Sequence, residues 1–135
     1  MIGIIVMSHG EMAAGLADTC RMIMCEDIPQ FQAVCFREAE SLENLDEKIE
    51  AAIAAVDDGH GVLGFCDLQG GTPFNRGILK MSERFQLIAG MNLPIILEAL
   101  QDRMGNIDIS ELDIDFLLET GKENIMHVNR LLSEG

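Results

Sequence analysis

An open, mostly parallel α/β sheet, doubly wound with helices on both faces, is the fold this sequence predicts. Two observations carry that reading. Short apolar runs rich in β-branched residues alternate with segments whose apolar residues recur at helical spacing. Strands separated by helices in this way join through right-handed βαβ crossovers, which produce a parallel sheet covered on both faces. The 135 residues contain no linker, internal repeat or low-complexity stretch, so a single domain over residues 1–135 is expected. At 48% hydrophobic content such a chain buries a core without metal or disulfide staples.

The first run, Ile2 to Met7, is short and continuously apolar, as a strand buried on both faces would be, and it stops at Ser8, His9 and Gly10. Met12, Leu16, Cys20 and Ile23 then recur at spacings of four, four and three, forming a helical stripe that Glu26, Asp27 and Pro29 interrupt. Phe31 to Phe36 is a second strand. Ser41, a good N-cap, precedes a helix carrying Leu42, Leu45, Ile49, Ile53 and Val56, which Asp57, Asp58 and Gly59 close.

Val62 to Cys66 is a third strand, leading into Asp67, Leu68, Gln69, Gly70, Gly71, Thr72, Pro73, Phe74 and Asn75. A helix is expected from Pro73 towards Ser82, with Thr72 as its N-cap. Phe85 to Ala89 is a fourth strand, and the helix after it carries Pro94 in its first turn, where a missing N–H costs little. Gly105 ends that helix, and Glu111 to Glu119 forms another. Ile125 to Leu132 fits two periods: Ile125, Val128 and Leu132 suit a helix, whereas Met126, Val128 and Arg130 suit a strand.

Composition excludes several classes of function. A net charge of −14 with no cluster of Lys or Arg argues against binding to nucleic acid or to an anionic membrane, and suits a partner with a basic docking face. The apolar start is too short for a signal peptide, and no apolar run reaches the roughly 18 residues of a membrane span; a soluble, cytoplasmic protein is expected. Cys20, Cys25, Cys35 and Cys66 contain no CxxC pair and read as reduced thiols. The nine methionines read as core filler.

In an open α/β sheet, chemistry gathers beyond the carboxyl ends of the strands, where strand order reverses. His9 follows the first strand and Asp67 the third. If those strands are neighbours, the carboxylate fixes one ring nitrogen and leaves the lone pair of the other aimed at an electrophile. Gly70 and Gly71 permit close backbone approach, and the helix start at Thr72 offers a seat for phosphate. His9 is therefore the candidate nucleophile, Asp67 its orienting group, and Gly70, Gly71 and Thr72 the phosphate-binding residues. No cofactor and no metal are expected. No Walker lysine follows the glycines, no GxGxxG is present, and no Trp or Tyr is available to stack on a flavin. Cys66 and Asp67, adjacent along a strand, point apart and do not converge with His9 on a metal. His60 and His127 read as structural.

The motif set Ser8-His9-Gly10, Asp67, Gly70 to Asn75, Ala89 to Pro94 and Glu119-Thr120-Gly121 resembles the enzyme IIA domain of the mannose family of the phosphoenolpyruvate-dependent sugar phosphotransferase system, over nearly the whole chain. The resemblance implies a phosphotransferase that accepts phosphoryl from the phosphocarrier protein HPr on His9, as a tele-phosphohistidine, and passes it to enzyme IIB. The membrane subunits IIC and IID then participate indirectly. It implies that Asp67 orients His9 and that Thr72 lies beside the phosphate. It also implies a homodimer exchanging a C-terminal antiparallel strand, which would make Ile125 to Leu132 a fifth strand, and a IIB on a separate polypeptide. A phosphotransfer subunit of a phosphoenolpyruvate-dependent dihydroxyacetone kinase has a similar fold and histidine, but the GGTPFN segment favours the sugar system. A non-catalytic nucleotide-binding α/β module is the remaining alternative.

Overall fold

In the computed structural model, which describes residues 1–134, four strands form one sheet: β1 (Gly3–His9), β2 (Phe31–Phe36), β3 (Val62–Cys66) and β4 (Phe85–Ala89). All pairings are parallel, in the order β2-β1-β3-β4. The helices are α1 (Met12–Met24), α2 (Leu42–Val56), α3 (Thr72–Ile78), α4 (Leu93–Asp102), α5 (Ile114–Glu123) and α6 (Val128–Glu134), with a 3₁₀ turn at Ile109–Glu111.

The period-two alternation of the strands explains the two layers. Ile2, Ile4 and Val6, with Leu63, Phe65 and Ile88, face a core completed by Ala13, Ala17 and Cys20 of α1 and Ile96, Ala99 and Leu100 of α4. Ile5 and Met7, with Val62, Cys66 and Phe85, face the opposite core against Leu45, Ile49, Ala52 and Val56 of α2. Both central strands are buried on both sides, which is why they read as unbroken apolar runs. Because the chain moves outward from β1 to β2 and then crosses to β3, strand order reverses between β1 and β3. Their carboxyl ends therefore frame the crevice where the chemistry belongs.

Arg103, at the C-terminal end of α4, is 2% exposed. Its guanidinium donates to the carbonyls of Ile2, Gln30 and Pro29 at the foot of β1 and β2. Among the described residues no carboxylate bonds it and its Nε has no partner, and burial lowers its pKa.

Three sequence expectations are corrected. The strand implied over Ile125 to Leu132 is absent: Val128–Glu134 is helix α6, with no buried residue. A fifth strand needs a partner edge, and within one chain a helix satisfies backbone groups locally, as Leu131 N–H does on the His127 carbonyl at 3.0 Å. The exchange of an antiparallel strand is accordingly not seen. The helix expected over Glu111 to Glu119 runs instead from Ile114 to Glu123 behind the 3₁₀ turn, because Asp108 caps the turn and Asp113 caps α5. The helix after Gly71 is shorter than expected. Gly71 holds the N-cap position, so Thr72 is the first helical residue and caps nothing, and turns at Lys80 and Met81 follow its end at Ile78.

Candidate phosphoryl-transfer site

His9 closes β1 between two strand ends, because β1 pairs with β2 on one side and β3 on the other. Gly10 takes a φ of 57° and donates its N–H to the Phe36 carbonyl at 2.8 Å. Only a residue tolerant of the left-handed region makes that turn without strain. Ser8, fully buried, accepts the Ala13 N–H at 2.7 Å and so fixes the start of α1 immediately behind the histidine.

The Asp67 side chain, 9% exposed, faces His9 twice. Its Oδ2 accepts the His9 backbone N–H at 2.9 Å and lies 2.8 Å from ring Nδ1. Its Oδ1 accepts the Leu68 N–H at 3.0 Å. Burial acts to raise the Asp67 pKa, but the hydrogen bonds from the His9 backbone and ring, the charge of the His9 ring and the Leu68 N–H outweigh it, so the carboxyl lies below its usual range. An ionised carboxylate only accepts. The proton between the two groups therefore sits on Nδ1, and Nε2 carries the free lone pair.

That nitrogen opens beside Gly71. A Cβ built there would lie 2.6 Å from His9 Cε1 and 3.3 Å from Nε2, so only glycine lets the α3 backbone come this close to the ring. Gly70, with φ of 85°, makes the turn and remains exposed. Thr72, half-buried, begins α3. Helix α3 is held to α2 by Arg76, whose guanidinium donates to both oxygens of Asp46 at 2.8 and 2.6 Å. The structure thus brings His9, Asp67 and Gly71 together, with Thr72 one residue further and Gly70 on the outside of the turn.

On the β2 side the ring meets Phe36 edge to face, with centroids 6.2 Å apart. There His9, Gly10, Phe36, Arg37, Glu38 and Ala39 line an open crevice of about 310 Å³. Arg37 forms an ion pair with Glu11 at its rim. Sequence reasoning passed over Ser8 as an anchor and Phe36, Arg37 and Glu11 as neighbours. Their proximity follows from the parallel register of His9 with Phe36, which no local pattern announces. Cys66 faces away into the α2 core. Burial first, and the Asp67 charge second, push its thiol up to about 11. Among the described residues no group of three His, Cys, Asp or Glu side chains converges as a metal site. His60 lies in a turn, its Nδ1 2.7 Å from Asp58 Oδ1.

A parallel α/β sheet with a carboxylate-held histidine at its switch point defines the class: a doubly wound α/β protein with an imidazole at its strand-end crevice. The family model described as PTS system fructose IIA component, EIIA-man, matches residues 3–113. The chain is 36% identical over 105 residues to the PTS system fructose-specific EIIA component of Bacillus subtilis strain 168, covering 76% of this chain and 71% of that one. It is 34% identical over 126 residues to the PTS system mannose-specific EIIAB component of Escherichia coli strain K12, covering 92% of this chain but only 38% of that longer protein. The mannose/sorbose specific IIA subunit from Enterococcus faecalis superposes with a TM-score of 0.79 at 25% identity, covering 93% of each chain. The protein belongs to the mannose-type EIIA family of the sugar phosphotransferase system. No helix of the described residues is long and apolar enough to cross a membrane.

Proposed function

We propose that this chain is a phosphohistidine carrier of sugar uptake, in which residues 1–135 work as one cytoplasmic IIA domain. His9 Nε2 takes phosphoryl from the phosphohistidine of HPr and gives it to an enzyme IIB, so that the membrane subunits IIC and IID are served indirectly. One observation carries the reading: Asp67 Oδ2 holds Nδ1 at 2.8 Å, so that the bare nitrogen is the one facing Gly71 and open space.

In the transfer, the Nε2 lone pair forms the new P–N bond while the donor's P–N bond breaks and its electrons return to the donor ring. The Nδ1 proton remains against Asp67, whose negative charge offsets the positive charge developing on the His9 ring. The Gly71 backbone, which approaches the ring most closely, receives the phosphoryl oxygens in this reading together with Gly70 and the Thr72 hydroxyl beside it along the chain, in a reaction that depends mainly on positioning and electrostatics. The acidic surface, with a net charge of −14, suits basic docking faces on HPr and IIB. The working unit is a homodimer.

The test is phosphorylation with phosphoenolpyruvate, enzyme I and HPr. The expected product is an acid-labile, base-stable adduct that a cognate IIB discharges. If His9→Ala labels as the wild type does, the carrier assignment is wrong. Discharge to a kinase-bound adenosine nucleotide instead of IIB would move the protein to the dihydroxyacetone system.

A further inference from the structure

We infer that Arg37 is a phosphoryl-receiving residue of this site: its guanidinium leaves Glu11 and pairs with the phosphoryl group arriving at His9. The inference rests on the carrier reading and adds to it a residue from the β2 side of the crevice.

Three observations support it. Arg37 and His9 line the same crevice of about 310 Å³, because Arg37 follows Phe36 and Phe36 is in register with His9. Among the described residues lining that crevice, Arg37 alone carries a fixed positive charge. Its present partner is a poor anchor: Arg37 and Glu11 are 57% and 67% exposed, and Glu11 makes no capping bond to α1. Exposed pairs of this kind contribute little and exchange readily.

The surroundings give the guanidinium something to do. Asp67, Glu38 and Glu11 make the approach negative, on a chain whose net charge is −14. An incoming phosphoryl group carries about two negative charges near neutral pH and meets that field unfavourably. A guanidinium offers a planar fork that matches phosphate oxygens and remains charged throughout. As the P–N bond to the donor ring breaks and the bond to His9 Nε2 forms, the three phosphoryl oxygens keep their charge. Arg37 exchanges the Glu11 carboxylate for those oxygens, no proton moves from it, and Glu11 is released to water.

The experiment compares wild type, Arg37→Gln and Glu11→Gln in rapid-quench phosphorylation by phospho-HPr, and follows the phosphorylated proteins by ³¹P NMR across pH. Arg37→Gln is expected to accept phosphoryl roughly tenfold more slowly at low salt, with the difference shrinking as salt screens the charge. Its phosphoryl resonance is expected to titrate at higher pH than in wild type, since a neighbouring cation favours the dianion. Glu11→Gln, which frees the arginine, is expected to accept at least as fast as wild type. If Glu11→Gln slows as much as Arg37→Gln, the ion pair is only a clasp and the inference fails. If Arg37→Gln matches wild type in rate and titration, it fails likewise. A wild type that takes no label overturns the carrier reading, and this inference with it.

Discussion

At the scale of single residues, the site depends on one hydrogen bond and one missing side chain. Asp67 selects the ring tautomer, so Asp67→Ala is expected to lower the rate of phosphoryl acceptance on the order of 10²-fold, with the fold retained by circular dichroism. Gly71→Ala places a methyl 2.6 Å from His9 Cε1 and must turn the ring or push α3 away. It is expected to slow acceptance while shifting the His9 ring resonances in an NMR spectrum that is otherwise that of a folded protein. Asp67 also leaves a pH signature. Its folded pKa lies below the usual carboxylate range, so its contribution to stability is complete above the unfolded value of about 4 and disappears as pH falls through the folded value. Asp67→Asn is expected to flatten the acid limb of a stability-against-pH curve below about pH 4.

At the scale of elements, two helix ends invite measurement. Asp102 at the end of α4 has its pKa pushed up to about 6, first by burial, then by its hydrogen bond with Glu98 and by the charges of Glu98 and Asp113. A carboxyl raised in the folded state binds more protons folded than unfolded. Stability is therefore lost as pH rises from about 4 to about 6, and Asp102→Asn is expected to be the more stable protein at pH 7 in thermal melts. Helix α6 is the other. Ile125 and Met126 ahead of it and Val128, Leu131 and Leu132 within it are all more than half exposed, and no residue of the helix is buried. Light scattering is expected to report a dimer, and a chain carrying Ile125→Asp and Leu132→Asp is expected to sediment as a monomer with its β-sheet signal intact.

Across the whole molecule, what the sequence made legible follows physical rank. Strands buried on both faces show as unbroken apolar runs, so β1 and β3 could be located and their polar ends, His9 and Asp67, suspected of meeting. Helix caps were less legible: Gly71 took the position expected of Thr72, since a helix can begin a residue earlier whenever the backbone allows it. Contacts made by strand register, such as Glu11 with Arg37, were invisible because their partners are distant along the chain. Residues 125–132 could not be decided by pattern, for both periods fit and the outcome depends on whether a second edge is available. Arg103 ran against expectation altogether, since guanidinium groups seldom go inside without a carboxylate.

That buried arginine sets a timetable for synthesis. It joins the Ile2 carbonyl across a separation of 101 positions, so a nascent chain that has already released all four strand segments from the ribosome still lacks the group that ties the feet of β1 and β2 together. Domains emerge N-terminal end first, and here the Ile2 carbonyl gains its Arg103 donor only once α4 has been made. A release series of ribosome-bound chains is expected to gain protease resistance only when Arg103 has cleared the exit tunnel, in one step late in translation, and not gradually as each strand appears.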